Sequence, residues 1–259
     1  MKIIAFSMSF LGLILISNLS IAQHKNPVIA HRGAWKTNNL PQNSIAALIR
    51  AGELKCYGSE FDVHLTKDDV LVVCHDHDFY GIDIEKSTYQ ELLQKKHPNG
   101  ESIPTAKEYL LAGKKHKGTK LIYELKASRI GKDRTLKAAE QAVKLVKELG
   151  VSKLVEYISF DYDALKKILE VDPKAKVAYL GGNVLPGDVK MDKMYGLDYN
   201  QGVYKKESTW IEEAHKLGLT INVWTVNTKE DMTYFLDQKV DYITTDEPEM
   251  LFNTIKERK

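Results

Sequence analysis

Short apolar, β-branched segments alternate with amphipathic segments of helical length along nearly the whole chain, and this alternation constrains the fold more than any other feature. Residues 27–30, 58–63, 120–125, 156–160, 176–180, 195–199, 219–225 and 241–245 read as strands. Residues 44–54, 134–149, 162–170, 209–217, 229–238 and 250–256 read as helices. Asn43 or Ser44 offers the first helix a capping side chain, while Gly150 and Gly218 stop two of the others. Strands separated by helices must run parallel, and about eight such units predict a closed (β/α)8 TIM barrel. Residues 70–74 form a further β-branched run after the Asp68-Asp69 turn. Residues 76–105 do not fit the repeat and read as a small insertion after the second strand, placed to cap the barrel mouth.

The first 22 residues stand apart from this pattern. Lys2 precedes an apolar run over residues 3–16, and Ser20 and Ala22 end it with small residues. That is the order of a secretory signal peptide, and the run is too short to span a bilayer. No cysteine follows it to accept a lipid. The expectation is a chain exported to a bacterial periplasm, without stable membrane insertion, whose residues 23–259 form a single barrel domain. The 37 basic residues nearly balance the 35 acidic ones, so no field points to nucleic acid. Cys56 and Cys74 have no metal-binding spacing and read as buried free thiols, with a single bridge as the alternative.

Charged residues gather where such a barrel carries its chemistry. His31 and Arg32 end the first strand; Glu60 and Asp62 lie two apart on the second; Glu124 and Lys126 lie two apart at the end of the third. Residues two apart in a strand share a face, so these groups converge at the C-terminal mouth. Three converging carboxylates repel one another unless a cation intervenes. All-oxygen ligation by Glu60, Asp62 and Glu124 suits one divalent cation, Ca²⁺ or Mg²⁺, with Mn²⁺ as a further candidate. With a phosphodiester, Arg32 and Lys126 added to the ion and the three carboxylates, the charges cancel.

The segments Ala30-His31-Arg32-Gly33, Pro41-Gln42-Asn43-Ser44, Glu60-Phe61-Asp62, His75-Asp76 and Glu124-Leu125-Lys126, with Trp224, together resemble the glycerophosphodiester phosphodiesterase family. That family shares its barrel with phosphatidylinositol-specific phospholipases C. The resemblance implies hydrolysis of a small-molecule glycerophosphodiester to glycerol 3-phosphate and an alcohol. It implies that Glu60, Asp62 and Glu124 bind the metal, that His31 and His75 form the acid–base pair, and that Arg32 and Lys126 hold the phosphate. Histidine suits both proton transfers because it titrates near neutrality, and a guanidinium offers phosphate a two-point grip. Trp224 is expected to form an aromatic wall against substrate. Gln42 stands where the family carries glutamate, and it is expected near His31 and Arg32, behind the ligands, with direct ligation of the ion at reduced affinity as the alternative.

Other residues have plainer expectations. His64 reads as a surface histidine at a strand end, His77 and Asp78 as loop residues in solvent, and Asp246-Glu247 as the cap of the last helix. Three alternatives stand beside the hydrolase. A non-catalytic phosphodiester-binding protein is suggested by Gln42. A phospholipase acting on intact lipids would need an apolar rim. A glycosidase would need carboxylates facing each other across the scissile bond, which neighbours on one strand do not provide.

Overall fold

A computed structural model describes residues 26–258. The expected signal peptide and the start of the mature chain lie outside the described residues.

The chain opens with β1 (Val28–Ala30), α1 (Ile45–Glu53) and β2 (Gly58–Leu65). The short strands β3 (Leu71–Val73), β4 (Asp78–Phe79) and β5 (Ile82–Asp83) follow, then α2 (Tyr89–Leu92) and α3 (Ala106–Gly113). The repeat resumes with β6 (Lys120–Leu125), α4 (Lys132–Glu148), β7 (Val155–Ser159), α5 (Tyr162–Val171), β8 (Val177–Tyr179) and α6 (Pro186–Met191). It ends with β9 (Gly196–Asn200), α7 (Gln201–Lys206), α8 (Trp210–Lys216), β10 (Thr220–Trp224), α9 (Lys229–Asp237), β11 (Tyr242–Thr245) and α10 (Pro248–Glu257).

Strands β1, β2, β6, β7, β8, β9, β10 and β11 pair in parallel, each with its neighbours, and β1 joins both β11 and β2. The sheet therefore closes into the expected (β/α)8 barrel, which removes its edges. Alternation along each strand divides the side chains into two sets. Phe61, Val63, Tyr123 and Leu125 face outward into the shell beneath the helices, and Ile29, Ile122, Ile158, Leu180 and Tyr242 pack along the axis. Glu60, Asp62 and Glu124 alternate with the outward set and so enter the barrel.

Local chemistry fixes the first crossover. Ser44, not Asn43, caps α1, its hydroxyl accepting from Ala47 N at 3.1 Å. Gly33 has φ +83°, and a Cβ there would stand 2.6 Å from that of Ala47. Only glycine lets the strand end press so closely on α1.

The second strand runs two residues past the expected Val63 because β3 pairs antiparallel with Val63–Leu65. The insertion begins just beyond β3. Tyr80 and Gly81, both at positive φ, turn β4 into β5 as a tight hairpin. Val72, Phe79, Ile84, Leu92 and Ile103 give this segment its own small core. It is pinned at two places: Glu101 accepts from Ile45 N at 2.9 Å, and Glu85 accepts from Arg129 N at 2.9 Å. It stands beside the barrel mouth and forms one wall of a cleft there.

Helices α2, α3, α6 and α7 were not expected. Three of the four have six residues or fewer, too few for periodicity to declare itself. Cys56 and Cys74 are free thiols, as the sequence reading favoured, but only Cys56 is fully buried. Burial pushes both up to about 12, so neither is a reactive thiolate near neutrality.

Candidate active site

Seven of the nine residues singled out by the sequence line one small cavity, and the other two each touch a group that does. His31, Arg32, Glu60, His75, Glu124, Lys126 and Trp224 line a hollow of about 160 Å³ at the C-terminal end of the barrel. Asp62 joins it through Lys126, whose ammonium lies 2.7 Å from Asp62 Oδ1 and 2.6 Å from Glu124 Oε1. Gln42 is the ninth. It lies outside, its Oε1 accepting from Arg32 Nη1 at 2.6 Å, so it acts on the guanidinium and is not grouped with the carboxylates.

The carboxylates form a compact set. One oxygen from each of Glu60, Asp62 and Glu124 lies within 4.8 Å of the others, and all three residues are buried. β2 and β6 pair with Asp62 directly opposite Glu124, which fixes this spacing through the backbone. Asp62 is held further by Asn43, whose side chain donates to Oδ2 at 2.8 Å and accepts from Asp62 N at 3.1 Å. Burial works to raise the Asp62 pKa, but Lys126 and these hydrogen bonds outweigh it and hold the group low. Glu60 is raised far above the usual carboxylate range by burial and by Asp62 and Glu124, and Glu124 is pushed up to about 7 by burial and Asp62.

Glu60 is 2% exposed and its Oε1 meets no hydrogen-bond partner, although Oε2 accepts from Arg32 N at 2.8 Å. A buried carboxylate oxygen without a partner is costly. Three hard oxygen donors with one left unsatisfied fit a divalent cation. Lys126, with Arg32 Nε 3.8 Å from Asp62 Oδ2, partly answers the charge, and Asp62 and Glu124 hold the Lys126 pKa up against burial.

The two histidines are set differently. His31 Nδ1 lies 2.7 Å from Asp246 Oδ1, while Nε2 faces Glu60 at 4.0 Å. Asp246 is itself fixed by Asn227, which donates to Oδ2 at 2.7 Å and accepts from Asp246 N at 2.9 Å. Asp246 was expected to help cap the last helix. It does not: α10 begins after Glu247 without any side-chain cap bond, and Asp246 turns inward to His31. His75 Nδ1 lies 2.8 Å from Asp76 Oδ1, and burial lowers its pKa. His64 is also corrected. It is buried, not a surface histidine; its Nε2 lies 3.2 Å from the His75 carbonyl, and burial lowers its pKa to about 4. As a neutral ring it can donate to that carbonyl and steady the His75 backbone.

The far wall is apolar. Trp224 donates through Nε1 to the Asp198 carbonyl at 2.9 Å and meets the Phe160 ring edge-on, centroids 5.6 Å apart. Ile158 and Leu180 complete this wall. Phe160 and Asp198 line the hollow without having been singled out. Phe160 lies one residue past β7, and period-two alternation from the inward Ile158 could have found it.

Fold and site together define the class of (β/α)8-barrel phosphoric diester hydrolases. Residues 31–250 match the glycerophosphoryl diester phosphodiesterase family. The chain is 33% identical over 251 residues to a glycerophosphodiester phosphodiesterase of Caldanaerobacter subterraneus, covering 90% of this chain and 98% of that one. It is similar to the crystal structure of a glycerophosphodiester phosphodiesterase from Parabacteroides distasonis, with 44% identity and a TM-score of 0.88 over 91% of this chain and 99% of that one. A glycerophosphodiester phosphodiesterase from Thermotoga maritima superposes with a TM-score of 0.73 at 25% identity, over 89% of this chain and 99% of that one. The chain belongs to the glycerophosphoryl diester phosphodiesterase family.

Proposed function

We propose that this protein hydrolyses small-molecule glycerophosphodiesters to glycerol 3-phosphate and an alcohol, using a divalent cation and the histidines His31 and His75. The observation that carries this reading is the meeting of both imidazoles, Arg32, Lys126 and the triad around one cavity. Glu60, Asp62 and Glu124 would hold the ion. Bound there, a divalent cation supplies Lewis-acid stabilisation of charge on the non-bridging phosphate oxygens.

The chain's own residues do the rest. Asp246 fixes the His31 ring through Nδ1 and leaves Nε2 facing the cavity. Asp76 likewise holds the His75 ring through Nδ1. One imidazole takes the proton of the attacking oxygen, from water or from the glycerol 2-hydroxyl; in the second case a cyclic phosphate forms and water then opens it to glycerol 3-phosphate. The other gives its proton to the alcohol oxygen as the P–O bond breaks. Arg32 and Lys126 stabilise the phosphoryl oxygens as charge builds on them. Trp224, Phe160 and Leu180 offer the glycerol carbons an apolar wall.

The same reading includes export. The leader over residues 1–22 would be removed, leaving residues 23–259 as one barrel domain with its insertion over 76–105. Mass spectrometry of the secreted protein's N-terminus checks the cleavage.

The catalytic test uses protein stripped with chelator and resupplied separately with Ca²⁺, Mg²⁺ or Mn²⁺. Glycerol 3-phosphate release restored by an ion is the expected result. Binding of the diester without release under any ion would favour the non-catalytic reading and make Gln42 the first residue to restore to glutamate.

A further inference from the structure

A second cavity adjoins the first. It is a cleft of about 500 Å³ between the insertion and the segment joining β1 to α1, and Arg32 and His75 line both spaces. A phosphodiester has two arms on one phosphorus. A phosphate gripped at Arg32 beside His75 therefore sends one arm into each space. The inner hollow, small and walled by Trp224 and Phe160, suits a three-carbon arm. The outer cleft is left for the leaving alcohol.

We propose, resting on the hydrolase reading above, that this cleft selects diesters whose leaving alcohol carries a cation, the amino-alcohol class, and that Asp78 and Tyr80 make the selection. The cleft's lining includes the carboxylates of Asp76 and Asp78 and the imidazoles of His75 and His97; among the described residues its one guanidinium or ammonium, that of Arg32, sits at the phosphate end with Gln42 on its Nη1. Asp76 is engaged with His75. Asp78 uses Oδ1 to accept from Gly81 N at 2.7 Å, which fixes the side chain on the hairpin turn. The Tyr80 ring is 50% exposed, yet it is held in place: its hydroxyl lies 3.1 Å from His97 Nδ1 and its ring packs edge-on against Phe79 at 4.7 Å. A fixed aromatic face beside a carboxylate is the arrangement that recognises an ammonium group. His97 also lines the cleft and anchors Tyr80; it is 9% exposed, and its Nε2 is buried without a hydrogen-bond partner.

Glycerol 3-phosphate release from glycerophosphocholine, glycerophosphoethanolamine and the uncharged-alcohol diester glycerophosphoglycerol tests this in the metal-loaded protein. The wild type is expected to show a KM about tenfold lower for the two cationic diesters, the size of one exposed-to-desolvated cation–π contact with a neighbouring charge. Asp78→Asn and Tyr80→Leu should each raise KM for the cationic diesters about three- to tenfold, on the same contact energies. Both should leave kcat and the glycerophosphoglycerol parameters unchanged. Tyr80→Phe keeps the ring and should keep the wild-type preference. Equal KM values across the panel, or variants that weaken all three diesters alike, would overturn the selection while leaving the hydrolase reading intact. Release from no diester would strike the hydrolase reading itself, and this inference with it.

Discussion

Glu156 and Glu60 are both carboxylates buried inside the same barrel, and their surroundings differ in one respect. Glu156 lies near the N-terminal ends of the strands, where it accepts from Tyr57 at 2.9 Å and from Lys176 Nζ at 3.3 Å. Lys176 in turn reaches the Tyr195 hydroxyl at 3.2 Å and lies over its ring. That end of the axis satisfies its own charge. At the other end, Glu60 keeps one oxygen without a partner beside two further carboxylates. Networks that close on themselves serve the fold, whereas a network left open by an otherwise well-packed barrel is built for something that binds. Asp198 stands between the two, lining the hollow beside the triad and also the small void above Glu156, with a buried Oδ1 that meets no partner.

Substitutions at the two ends should therefore separate activity from stability. The largest effect is expected for His31→Ala and His75→Ala, each lowering kcat by about 10²–10⁴-fold with the unfolding transition nearly unmoved. Steady-state kinetics beside thermal melts would show it; substantial turnover in either variant would break the two-histidine account. Next comes Glu156→Gln, which should destabilise by about 0.5–1.5 kcal/mol because it weakens the bonds to Tyr57 and to the half-exposed Lys176, while activity per folded molecule is kept. Glu60→Gln should do the reverse in chelator, matching or exceeding wild-type stability because one of three repelling carboxylates becomes neutral. Chemical denaturation of both variants compares them directly.

Asp198 sharpens the contrast through pH. Burial pushes its pKa from the ordinary 3.8 up to about 7. The folded state thus binds the proton more tightly than the unfolded one, so this group's favourable contribution is present below 3.8 and is lost as pH rises from there through about 7. Asp198→Asn should remove that slope, melting above the wild type at pH 8 and close to it at pH 4. A parallel pair of melting curves across this range would contradict it. The smallest effect is expected for Gln42→Glu. It places a charge on Arg32 without entering the triad, so the rate should change by less than about tenfold, the scale of one partly exposed ion pair.

Much of this site is legible in the sequence, because period two along a strand is a strict rule. Glu60 with Asp62, and Glu124 with Lys126, had to share a face, and eight parallel strands had to bring those faces to one mouth. What stayed hidden depends on closure of the barrel. Asp246 meets His31 only because β11 pairs with β1, two segments 215 residues apart in sequence. His64 looked like a surface residue until β3 folded back on β2 and buried it. Asn43 was one of two candidate helix caps; Ser44 takes that place, and a positive φ turns Asn43 away from α1 and onto Asp62. Each of these is a partner supplied by tertiary structure, for which a local pattern carries no signal.

The most direct test of the contrast between the two ends is calorimetric titration of Ca²⁺ or Mg²⁺ into chelator-stripped wild type, Glu60→Gln and Glu156→Gln. One binding site in the wild type and in Glu156→Gln, with binding abolished or severely weakened in Glu60→Gln, is the expected result. A wild type that binds neither ion, or a Glu60→Gln variant that binds as the wild type does, would contradict the account of the acidic triad as a cation site.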